Sequence, residues 1–166
     1  MSQEPRLLFT LLNTPVTAEP SALLTPLSMI GLGWISSTRS WLDRLSRGGW
    51  LLLAYALTDL LHFIGHILSA RYASAPMDRI HLAAPLPRTV YLDNAVTPQA
   101  HRLRSLGGPV ANTLAGVLFF GLGFLAPPRS AVRSGLVLLG WFNSLLAVGS
   151  LFPYPLLMVE PSSSGH

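Results

Sequence analysis

The sequence predicts an all-α membrane protein. It has three core transmembrane helices, a candidate fourth helix before them, and a β-hairpin-like connection between the first two core helices. Three observations lead there. Half of the 166 residues are hydrophobic and only 11% are charged, against about 25% charged in an ordinary soluble domain. Three long stretches are almost free of charge. Proline and polar residues punctuate the chain between them.

A spanning helix needs about 20 mostly apolar residues. The first span runs from Trp50 to Ala70, "WLLLAYALTDLLHFIGHILSA", and Arg71 ends it. The second covers roughly 108–125 and is closed by Pro127 and Pro128; the third covers roughly 134–152 and is closed by Pro153. Between Glu19 and Arg39 no residue is charged, but Pro26, Gly31, Gly33 and several hydroxyl residues dilute the run. It reads equally as a span or as an interfacial segment. Residues 37–49 alternate Trp41 and Leu45 with Arg39, Arg44 and Arg47, as an interfacial collar does. "MSQEPRLLFTLLNTP" is a poor signal peptide, with an acidic residue and a short apolar core. The chain therefore divides into an N-terminal interfacial segment (1–49), a membrane core (50–160) and a tail (161–166) expected to be disordered.

The long connection, 71–107, contains "DRIHLAAPLPRTVYLD". Its apolar residues alternate with polar ones around Pro85 and Pro87, which suits a hairpin or edge strand. Exposed backbone at such an edge can accept another chain, so Arg79, Arg88 and Tyr91 are candidate partner-binding residues.

The chain has no cysteine, which excludes disulfides, thiolate-bound zinc and iron–sulfur clusters. All 11 basic residues are arginine. With the many alanines and prolines, this suggests a GC-rich bacterial genome, hence a multi-pass protein of the bacterial cytoplasmic (inner) membrane. The net charge of +4 fits arginines flanking spans in a lipid bilayer. No nucleic-acid-binding motif is present. Six arginines against five on the two expected sides leave the orientation open.

The first span carries Asp59, His62 and His66. At about 100° per residue they fall within about 60° of one another, on one helix face. Ionisable groups at membrane depth are costly and face a cavity or a partner. Histidines at i and i+4 can hold one metal ion, zinc above all. Asp59 is then an orienting carboxylate or a third ligand; otherwise the histidines only hydrogen-bond neighbouring helices. Asn112 and Asn143 place neutral amides in the other two spans, where such groups commonly join helices.

Three stretches together resemble the site-2 protease family of intramembrane zinc metalloproteases. "HFIGHILSARYASAPMDRIHL" is similar to the family's H-E-x-G-H followed by small residues, an arginine and a strand. "GGPVANTLAG" is similar to G-P-x-x-N opening a helix, and "FNSLLAVGSLFPYPLLMVE" to a helix ending in N-L-x-P-x-P-x-L-D-G. The resemblance covers about 50–160 and implies a site where His62, His66, Asn112 and the Pro153 region converge, with Asn112 and Asn143 as further candidate substrate- or partner-binding residues. It also shows two losses. Phe63 stands where the family has its glutamate base, and Met158 where it has its aspartate ligand. Phenylalanine can move no proton, and a thioether is a poor zinc ligand. The expectation is a catalytically inactive homologue that binds another membrane protein, with zinc weak or absent. Two alternatives stay open. One is a divergent active protease in which Asp59 substitutes for the lost carboxylate. The other is a structural or cofactor-binding subunit of a larger membrane complex.

Overall fold

The computed structural model describes residues 6–37, 40–84, 86–92 and 95–152. Met158, Pro153, Pro85, Asp93 and the tail lie outside them. Helices α2 (Trp41–Tyr72), α3 (Pro98–Leu125) and α4 (Ala131–Gly149) are each long and apolar enough to cross a membrane. Their ends follow from local chemistry. The Ser40, Thr97 and Ser130 hydroxyls accept the backbone N–H of Asp43, Ala100 and Arg133, satisfying amides that a first helical turn leaves unpaired. Pro98 occupies the first turn of α3, where its missing N–H is harmless.

The collar predicted before the first span is the first part of α2, so that helix begins at Trp41 and not at Trp50. The candidate fourth helix is a 3-10 turn, Pro20–Leu23, running into α1, Leu24–Ile35. At 12 residues α1 is roughly 18 Å long, well short of a bilayer core of about 30 Å. It packs along α2 through glycines: a Cβ on Gly33 would fall 2.1 Å from Gly48 N.

The hairpin predicted after α2 is β3 (Arg79–Leu82) and β4 (Arg88–Val90), paired antiparallel with Arg79 opposite Val90. It forms half of a sheet. The N-terminal residues contribute β1 (Arg6–Leu11) and β2 (Thr14–Ala18), and β2 runs parallel to β3, giving the order β1-β2-β3-β4. Leu12 and Asn13 turn between β1 and β2 with φ of 46° and 58°. Arg71, ending α2, donates to Leu12 O and ties this turn to the helix. The buried cluster Val16, Phe63, Ile67, Ala70, Met77 and Ile80 joins the sheet to the last three turns of α2. The sheet thus lies beside the histidine-bearing part of the span, and Arg6 shares its side with Arg71 and Arg79. Five arginines then face six, and the orientation stays balanced.

Candidate functional site

The site is built where α2 and α3 cross. Gly65 and Gly107 bring the two backbones together: a Cβ on Gly65 would stand 2.3 Å from Gly107 O, and one on Gly107 2.3 Å from Gly65 O. One residue on, Gly108 faces the histidines. A Cβ there would fall 2.4 Å from His66 Nε2 and 2.6 Å from His62 Cε1. Glycine is required at this position because the imidazoles occupy the space a side chain would take.

Pro109 lies inside α3. It offers no N–H and crowds the carbonyl four residues back, which loosens the preceding turn. Within that turn Arg104 O lies 2.8 Å from His66 Nδ1. A carbonyl only accepts, so Nδ1 carries the proton and Nε2 presents a lone pair. That lone pair meets His62 Nε2 at 3.1 Å. Two nitrogens bound at about 2.0–2.1 Å to a tetrahedral ion stand roughly 3.3 Å apart, so the pair has nearly the spacing of two zinc ligands. His62 has two choices. With a proton on Nε2 it donates to His66; with the proton on Nδ1, both lone pairs converge on one point. His62 Nδ1 and both amide atoms of Asn112 are buried without a hydrogen-bond partner among the described residues, and Asn112 lies beside His62. The amide oxygen can accept from Nδ1–H, which would select the metal-ready tautomer.

The two imidazoles could supply two of the four donors that zinc prefers. Among the described residues no group of three His, Cys, Asp or Glu side chains could hold a metal. Asp59 does not join the histidines: its neighbour is the Tyr55 hydroxyl, one turn earlier. His81 lies between Thr17 Oγ1 and Glu19, and His101 Nδ1 contacts the Arg104 guanidinium at 3.1 Å.

Phe63 stands edge-on to the His62 ring, with centroids 6.1 Å apart. It is 8% exposed and sits in the cluster under the sheet. A side chain here fills the α2–sheet interface with hydrocarbon, where a carboxylate would be needed to serve a bound water.

A solved structure has the same fold. A site-2 protease from Methanocaldococcus jannaschii superposes on 90% of the chain with a TM-score of 0.68 at 17% sequence identity. The chain has the fold of a site-2 protease. It spans 65% of the length of that protein. No family model matches the sequence, and no curated protein does. The site-2 protease fold was legible from motif order while overall similarity was too low to register.

Within this fold the remaining candidate residues have distinct places. Asn143 is fully buried; its Nδ2 donates to Thr58 Oγ1 on α2 at 3.0 Å and to Leu139 O at 2.8 Å. It joins α4 to α2. Asn112 is equally buried, so both amides face helix interfaces. Arg79 and Arg88 are exposed on the hairpin. Tyr91 is half-buried with its ring 4.2 Å from the Arg104 guanidinium. Burial pushes the Tyr91 phenol above its ordinary value, although the Arg104 charge pulls the other way. Sequence reasoning counted Arg104 only as a flanking charge. It is 2% exposed and packs where the connection meets α3, through Tyr91, His101 and its own carbonyl on His66. Its place three residues before "GGP" was the available signal. A Gly-Pro turn in a span marks where backbone approaches another helix.

Proposed function

We propose that this multi-pass membrane protein is a pseudoprotease: it keeps the site-2 protease fold, has lost cleavage, and binds another membrane protein. The observation that carries the reading is Phe63. It takes the position of the family's base, beside His62 and in one buried cluster with Ile67, Met77 and Ile80, and a phenyl ring can accept no proton. The sequence departure at Met158 removes the family's third ligand as well. His62 and His66 are the residues that would hold zinc, and two imidazoles leave its tetrahedral preference half met. Weak zinc, or none, follows.

A partner has a surface to use. β4 is an edge strand of three residues whose outer backbone groups are unpaired by the sheet, and such an edge accepts an extended segment. Arg79, Arg88 and Tyr91 lie along this hairpin and would contact it. The composition favours a bacterial inner membrane as the location. The alternative use of Asp59 as a catalytic carboxylate is disfavoured, because Asp59 lies beside Tyr55 and, among the described residues, forms no ligand cluster with the histidines.

The test is an intramembrane cleavage assay with purified chain and zinc in lipid vesicles. Wild-type protein and Phe63→Glu should both leave a membrane-spanning reporter intact, since restoring the base restores no third ligand. Zinc-dependent cleavage that His62→Ala abolishes would overturn the reading.

A further inference from the structure

Asp59 lies near the middle of the apolar stretch of α2, at the wall of a cavity of about 400 Å³. The cavity is open on one side and lined by α2, the stretch Pro20–Ile35 and the sheet. Leu52, Leu60, Phe63, Val16, Ile80 and Leu82 give it hydrocarbon walls, and only Thr25, Tyr55 and Asp59 bring polar groups. Its volume suits a few side chains of a bound ligand.

The carboxyl is incompletely satisfied there. A carboxylate has about four acceptor positions, and the polar side chain beside it is the Tyr55 hydroxyl. Among the described residues no arginine or histidine lies within ion-pair distance of it. Acidic groups at membrane depth normally face a cationic or donating partner. This one faces a cavity whose walls are mostly apolar.

We propose that the cavity receives a membrane-spanning segment of the partner protein, and that Asp59 selects a segment carrying a lysine or arginine at mid-bilayer depth. Charge complementarity commits the site to that occupant. A cation in lipid and a carboxylate in an apolar cavity are each poorly solvated alone, and each supplies what the other lacks. The inference rests on the reading of the chain as a binder of membrane proteins and adds the chemistry by which it chooses among them.

The experiment uses full-length protein in phosphatidylcholine nanodiscs and labelled leucine–alanine helices long enough to span them. The helices carry lysine, leucine or glutamate at the centre, and binding is read by energy transfer. The lysine helix should bind about tenfold more tightly than the leucine helix, the scale of one charge-assisted hydrogen bond. Asp59→Asn should remove that preference, bringing the lysine helix down to the affinity of the leucine helix. Asp59→Glu should retain it, which separates loss of charge from loss of fold. Ala56→Phe, projecting into the same cavity, should weaken both helices. Equal binding of the lysine and leucine helices, unaltered by Asp59→Asn, would overturn this inference and leave the binder reading standing. Failure of every helix to bind would overturn both.

Discussion

Replacing Gly65 by alanine adds one methyl group at the point where α2 and α3 are nearest. The new Cβ would stand 2.3 Å from Gly107 O, 2.9 Å from Gly107 C and 2.6 Å from Ala111 Cβ. Two of these atoms are backbone and cannot rotate away. Ordinary contact begins at 3.4 Å, so the helices must part by roughly 1 Å. That movement carries Arg104 O beyond hydrogen-bond reach of His66 Nδ1, now 2.8 Å away. Overpacking costs about 1–3 kcal/mol, and stranding the imidazole N–H about 1–3 kcal/mol more. Alanine's better helix propensity returns about 1 kcal/mol. The net expectation is a loss of about 1–5 kcal/mol. Gly49 is the internal control, on the same helix with nothing within 4 Å of its Cβ position. Gly49→Ala should be neutral or stabilising by up to about 1 kcal/mol. Reversible unfolding in mixed micelles compares the two variants. If Gly65→Ala matches wild type within about 0.5 kcal/mol, or if Gly49→Ala is equally damaging, close approach of backbones is not why Gly65 is there.

Two further outcomes follow from the site. Metal analysis of protein purified with zinc should find it substoichiometric after dialysis, and His62→Ala or His66→Ala should remove what remains; tightly held stoichiometric zinc would reveal a third ligand beyond the described residues. Asn143→Leu and Thr58→Val should each destabilise the α2–α4 contact, and a double-mutant cycle should give a coupling of about 0.6–1.7 kcal/mol. Zero coupling would mean that the 3.0 Å hydrogen bond contributes nothing in the membrane.

The sequence by itself determined the spans, because apolar length is a local property that a bilayer reads directly. It also determined the β3–β4 hairpin, whose alternation and prolines lie within 15 residues. The order of three short motifs led to the fold, since the glycines around the histidines are fixed by how closely α2 and α3 approach. Tertiary structure decided the rest. The N-terminal strands carry no local signal strong enough to separate them from a loop. Their structure comes from β2 pairing with β3, 64 residues away at Thr17 and His81, and from the apolar face that Phe63 and Ile67 present. Helical periodicity put Asp59 on the face of His62 and His66, and rotation alone could not say what lay opposite. In the folded chain the histidines turn to Gly108 on α3, while Asp59 turns to the cavity under the sheet. A few tens of degrees around α2 separate a helix interface from that cavity, and only the packing of α1, α3 and the sheet fixes which side chain faces which.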